Sequence, residues 1–167
     1  SQVQAMLPMV SPFLVEQSLL GHTSPRPGNH HPVHTPHNIY PCAGPDTWLV
    51  ISVSQQEQWQ ALLQLMQLTA FSSDASLNEP AARMQRRAEI DTAIASWTQQ
   101  HNAAEAMRLL QAAGVSAGVV KPIWAVLEDP HFLSTGFFQP VQREYLGRYL
   151  SSTPWFREHG QAAPLRH

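Results

Sequence analysis

NIYPCAGPDTWLVISVSQQEQWQALLQLM, residues 38–66, changes its periodicity halfway along. Trp48–Val53 is a short run rich in β-branched and aromatic residues, the composition of a strand rather than a helix. The turn residues Ala43-Gly44-Pro45-Asp46 precede it, so the run is expected to fold back on NIYPCA as a hairpin. From Trp59 the apolar residues recur as Trp59, Leu62, Leu63 and Met66, the spacing of one buried helical stripe. Ser54 and Glu57 stand three apart just before it, the spacing of a capping box. A hairpin leading into an amphipathic helix predicts mixed secondary structure.

Upstream, residues 22–38 carry many His, Pro, Asn and Thr with little periodicity and are expected to form a long extended linker. Before it, Val3, Met6, Leu7, Val10, Phe13 and Leu14 keep helical spacing. Pro8 and Pro12 are expected to kink or divide that helix, and Gly21 to stop it. The linker gathers His30, His31, His34 and His37, with Cys42 beyond. These are suitable zinc ligands by chemistry. Pro32, Pro36 and Pro41 interrupt them, however, and each proline pushes its predecessor toward extended geometry, so neighbouring imidazoles point apart. Three readings stand at this stage: a metal site, a substrate-contacting loop, and a linker covered by solvent or a partner. His31, His37 and Tyr40 are the candidate substrate contacts, since the last two lie where the linker enters the hairpin.

Downstream, residues 78–99 are expected to form a second helix with Ile90, Ile94 and Trp97 inward. Asn102 caps a third, whose face is Ala106, Leu109, Leu110 and Ala113 and whose stop is Gly114. VSAGVV is a second strand, and KPIWAVLED a short helical turn. Asp129 and Pro130 open another short helix, and FFQPVQ with GRYLSS closes the chain as a strand pair. The fold class is therefore α+β, a small antiparallel sheet packed with three or four helices and preceded by a helix and a linker. The expected divisions are 1–38 for helix and linker, 39–153 for the α+β domain, and 154–167 for an irregular tail.

Composition narrows the function classes. The net charge is −2 without a run of Lys or Arg, which excludes the electrostatic footprint of a nucleic-acid or anionic-lipid binder. No apolar stretch reaches the roughly 18 residues needed to span a bilayer. One cysteine among 167 residues forbids an internal disulfide and fits a reducing, cytoplasmic setting. Only 13% of residues are charged, about half the usual share, which suggests a surface partly covered by something else. No G-x-S-x-G elbow or glycine-rich phosphate loop is present. Cys42 reads better as a small core residue than as a nucleophile, and Asp129 better as a cap than as an acid. The residues alone assemble no catalytic constellation.

The ordered set of segments carries more. Gly28-Asn29-His30-His31-Pro32, Thr35-Pro36-His37, Tyr40-Pro41-Cys42 and Trp48 follow one another in an order that resembles the start of the small domain of family III CoA-transferases, the formyl-CoA and carnitine type. Arg83 with EIDTAIASWT, then EAMRLLQAAGVSAGVV, DPHFLSTGFF and YLGRYLSSTPW, are similar to later family segments in collinear order across about residues 1–157. Departures accompany the match. His30 stands where the family often has Arg, Thr35 where it has Ala, Asn38 where it often has Gly, and Ser116 where it has Pro. The glycine-rich active-site loop of formyl-CoA-type members has no counterpart. Gln55 lies near the Glu of the related acyl-CoA racemases and cannot act as a base.

The resemblance implies transfer of CoA between an acyl-CoA and a carboxylic acid. In the family an Asp on a larger Rossmann-like domain attacks the thioester and passes through an anhydride to an aspartyl-CoA thioester. No acidic residue here matches that Asp, so the expectation is a fragment, the small domain without its catalytic residue and inactive alone. Coenzyme A is then a substrate, with no tightly bound cofactor, and the implied partners are the large domain and a second copy in a homodimer. The alternative is a non-enzymatic binding or scaffold module, linked by metal through the histidine-rich stretch.

Overall fold

A computed structural model describes residues 2–22 and 26–154, and beyond them the backbone of two short strands. By backbone contacts the chain divides into two compact units, Ser1–Val119 and Val120–His167. That boundary falls inside the stretch 39–153 expected to be one domain.

The first unit opens with α1, Gln2–Leu20, which runs through both prolines as one helix. Proline 12 has no N–H to give the Pro8 carbonyl, and the Ser11 hydroxyl donates to that carbonyl instead at 2.9 Å. The helix is not divided there, and the carbonyl that the proline leaves free has a partner. None of the described side chains of α1 is buried. The linker leads to β1, His37–Pro41, and β2, Trp48–Ser52, which pair antiparallel with His37 opposite Ser52 and Pro41 opposite Trp48. The expected hairpin is present. β1 is an edge strand, where a proline such as Pro41 costs no ladder bond. β3, Ser116–Val119, pairs antiparallel with the other side of β2.

Helix α2, Gln56–Leu65, buries Trp59, Leu62 and Leu63, and Met66 just beyond it is buried as well. Its cap is displaced by one residue from the expected Ser54–Glu57 pair, because the N-cap is Gln55. The Gln58 side chain accepts from the backbone N–H groups of Ser54 and Gln55 at 2.9 and 3.3 Å. A short turn of helix α3, Thr69–Ser72, and a 3-10 turn, Ala75–Asn78, follow. The expected second helix is two, α4, Pro80–Gln85, and α5, Arg87–Thr98. The backbone leaves helical geometry at Arg86, with φ −102° and ψ 19°. The Arg86 side chain there bonds Asp74 and Glu89, each at 2.8 Å.

Helix α6, Ala103–Ala112, is capped by the Asn102 side chain, which accepts from the Ala104 N–H at 2.9 Å. The core lies where α2, α5 and α6 cover one face of the sheet, with Leu49, Ile51 and Val53 from the sheet meeting Leu62, Ile90, Ile94 and Leu110. One residue expected in the core faces outward. Leu109 is exposed, while Ala103, Ala106 and Leu110 form the inward face. Trp97 is half-buried and packs against this core as expected, stacking on His101 with ring centroids 3.9 Å apart, and Thr98 beside it is fully buried.

The second unit contains α7, Ile123–Leu127, α8, Pro130–Ser134, and the antiparallel pair β4, Phe138–Arg143, with β5, Gly147–Ser152. Asp129 caps α8 as expected, accepting from His131 N–H at 2.8 Å, and it also pairs with Lys121. Phe132, Phe137 and Phe138 cluster with ring centroids 5.0–6.0 Å apart. The tail, expected to be irregular, carries an antiparallel ladder of β6, Arg157–Glu158, and β7, Gln161–Ala162. Two residues per strand are too few for alternation to register in a sequence. Among the described residues no helix is long and apolar enough to cross a membrane.

Two helix ends make an internal comparison. After α6, Gly114 adopts φ +81° and Val115 N–H bonds the Leu110 carbonyl at 2.9 Å, the αL stop that glycine favours. After α2, Leu68 N–H bonds the Leu63 carbonyl at 3.0 Å in the same way, but Gln67 holds the left-handed position with φ +53°. A side chain there meets its own backbone. Gln67→Gly is expected to raise stability by about 0.5–1 kcal/mol, measured as a higher denaturant midpoint at unchanged slope.

Candidate functional site

The linker reaches the hairpin through Thr35-Pro36, joined by a cis peptide bond, and one arginine fixes its end. Arg83 on α4 is 3% exposed. Its Nε donates to the Thr35 carbonyl at 3.0 Å. Its Nη1 donates to the carbonyls of Leu77 and Asn78 at 2.8 and 3.1 Å and to Gln56 Oε1 at 3.0 Å. The guanidinium carbon lies 5.4 Å from the Trp59 ring centroid, in range of a cation–π contact. Among the described residues no carboxylate stands within ion-pair distance of it. Burial pushes its pKa below the usual arginine value, and Glu79 partly opposes that. The Val53 N–H adds a bond to the Pro36 carbonyl at 2.9 Å. Thr35 itself is fully buried, and its hydroxyl has no partner.

His30, His31 and His34 lie just before this anchor and His37 just after it. His31 Nδ1 accepts from the backbone N–H groups of Val33 and His34, both at 3.1 Å. The His31 ring stacks on His34 with centroids 4.3 Å apart and lies 5.3 Å from His37. His37 Nδ1 bonds Ser52 Oγ at 2.8 Å, a link between directly opposed strand residues. His30 Nδ1 is buried without a partner. Gly28, Asn29, His30, His37, Asn38, Ile39 and Val50 line a shallow cleft of about 310 Å³.

The third candidate is placed differently. Tyr40 is 2% exposed and belongs to the core. Its phenol donates to Asp91 Oδ1 on α5 at 2.6 Å, and Asn38 Nδ2 donates to Asp91 Oδ2 at 3.2 Å. Burial, followed by the hydrogen bond and charge of Asp91, pushes the Tyr40 pKa far upward, so the phenol keeps its proton. The structure thus brings His31 and His37 together and buries Tyr40 in the core. Both Asp91 oxygens are engaged. Cys42 is buried, which raises its thiol pKa and disfavours the nucleophilic thiolate. Among the described residues no group of three or more His, Cys, Asp or Glu side chains is placed to hold a metal.

Two residues of this region stand outside the candidate set. Arg83 entered the sequence reading only through the resemblance. Asp91 carried a signal that went unused, since it is three and seven residues before Ile94 and Thr98 and so shares their helical face. An acid on an apolar stripe implies a partner inside.

The fold agrees with what comparison finds. Residues 1–166 match CoA-transferase family III, and the chain belongs to that family. It is 31% identical over 159 residues to succinyl-CoA–D-citramalate CoA-transferase of Chloroflexus aurantiacus, covering 90% of this chain and 39% of that protein. It is 31% identical over 137 residues to a probable CoA-transferase of Mycobacterium tuberculosis, covering 82% of this chain and 16% of that protein. A formyl-CoA:oxalate CoA-transferase of Rhodopseudomonas palustris is 27% identical over 135 residues, 78% of this chain and 32% of its own length. The crystal structure of a CaiB/BaiF family protein from Brucella suis shares the fold with TM-score 0.70 at 22% identity, over 92% of this chain and 43% of that one. The chain spans well under half the length of each.

Arg83→Met keeps the stem but leaves the Thr35, Leu77 and Asn78 carbonyls without their donor. A loss of about 3 kcal/mol or more in unfolding free energy is expected. Thr35→Val replaces the unpartnered hydroxyl with a methyl group of equal size. It is expected to raise stability by about 1 kcal/mol, read in the same denaturation assay.

Proposed function

We propose that these residues form the small domain and closing segment of a family III CoA-transferase that moves CoA from an acyl-CoA to a free carboxylic acid. The observation that carries the reading is the family match over residues 1–166 in a chain spanning 39% of the citramalate enzyme it resembles. The attacking Asp belongs to polypeptide outside these residues, on a large Rossmann-like domain. Its carboxylate adds to the thioester carbonyl and expels CoA as thiolate, giving a mixed anhydride. The thiolate then attacks the aspartyl carbonyl and releases the donor acid, leaving an aspartyl-CoA thioester. The acceptor carboxylate repeats the sequence in reverse, and the Asp is regenerated.

In this reading the present residues supply support rather than reacting atoms. Arg83 sets where the linker meets the sheet, and the exposed apolar side chains of α1, among them Val3, Met9 and Leu19 at 71–77% exposure, pack against the large domain or a second copy in a homodimer. His31 and His37 are the side chains on the linker side that could meet a substrate, while Tyr40 serves by holding Asp91. Coenzyme A is a substrate, not a resident cofactor, and the reducing cytoplasm suits the one thiol.

Two measurements test this. Immunodetection in source cells is expected to find a native polypeptide at least about twice 18.6 kDa. The 167-residue chain incubated with succinyl-CoA and citramalate is expected to give no turnover and no adduct. An acyl-CoA-dependent, hydroxylamine-sensitive adduct on one of its own Asp or Glu residues would overturn the proposal.

A further inference from the structure

The turn at residues 31–34 is held by an acceptor that can take up a proton. His31 Nδ1 receives both the Val33 and the His34 N–H at 3.1 Å, so it carries no hydrogen and the neutral ring holds its proton on Nε2. No other residue type that titrates near neutrality caps a turn this way. An imidazolium has N–H on both nitrogens. Protonation therefore places a donor against two donors, and both bonds are lost together.

The surroundings work in the same direction. The titratable groups that act on His31 are His34, stacked on it at 4.3 Å, and His37 on β1 at 5.3 Å. Both are imidazoles, and His37 is itself tied to Ser52 on β2. Among the described residues no carboxylate acts on His31 to stabilise its charge. Desolvation first, then His34 and His37, hold its pKa below the ordinary 6.5. The neutral form is thus favoured in the folded turn. Its stabilising contribution is complete above pH 6.5 and is lost as pH falls through the lower folded value.

We propose that His31 is a proton-sensitive latch that closes the linker turn when neutral and opens it when protonated. Downstream of the latch the chain stays fixed, because Thr35 and Pro36 are bonded to Arg83 and Val53. Opening therefore acts on the side that leads back to α1, changing how the linker leaves the sheet. This does not depend on the transferase reading.

The test uses the 167-residue chain and amide exchange of Val33 and His34 by NMR, corrected for intrinsic exchange, between pH 8 and 5. The His31 ring nitrogens are followed in the same samples. Wild type is expected to show unprotonated Nδ1 at pH 8 and at least tenfold loss of protection of both amides as His31 titrates. His31→Asn places a non-titrating carbonyl oxygen where it can accept the same bonds, and is expected to remain protected throughout. His31→Ala is expected to be unprotected at both ends. Protection in wild type that is unchanged across His31's titration would overturn the proposal, as would the same acid loss in His31→Asn, or a ring found protonated on Nδ1 at pH 8.

Discussion

A single buried guanidinium joins three segments that are far apart in sequence. Arg83 bonds the linker end at Thr35, the 3-10 turn at Leu77 and Asn78, and the first turn of α2 at Gln56. Each acceptor is a neutral oxygen, so the direct contacts to the charge are dipoles, with Glu79 acting on it from beyond ion-pair distance. That choice has a geometric reason. A carboxylate would draw the arginine to one point, whereas its planar fork can serve carbonyls lying in different directions. The linker cannot slide along the sheet without leaving this cation desolvated and unpaired, a state that costs far more than any one bond. The positions of His31 and His37 at the sheet edge follow from that constraint.

Local rules made much of the fold legible. The turn before Trp48, the Asn102 and Asp129 caps and the Gly114 stop each depend on neighbours within a few residues, and the structure has all of them. The structure departs from those rules where a particular side-chain bond decides. Ser11 rescues the carbonyl that Pro12 leaves free, a bond no propensity encodes. Arg86 breaks the long helix where its side chain bonds Asp74 and Glu89. Thr98 joins Trp97 on the inner side of α5, its hydroxyl donating to the Pro41 carbonyl at 2.7 Å.

The site was less legible than the fold for the same reason. A run of histidines announces itself, but which nitrogen of each ring is occupied depends on backbone geometry. His31 spends Nδ1 on its own turn, and His37 spends Nδ1 on Ser52 across the ladder. Tyr40 looked like a ligand contact from its place at the hairpin entrance. Strand alternation turns it inward instead, where an acid from α5 meets it.

The strand order has a kinetic meaning. β1 and β2 adjoin in sequence and can pair locally, whereas β3 joins β2 only after a separation of roughly sixty residues that contains all the core helices of the first unit. Closing so long a loop is slow relative to forming the hairpin. Until it closes, β2 keeps one row of amides and carbonyls unpaired, an open margin that other chains can join. A nascent chain is most exposed to misassembly during that interval, before Ser116–Val119 arrives.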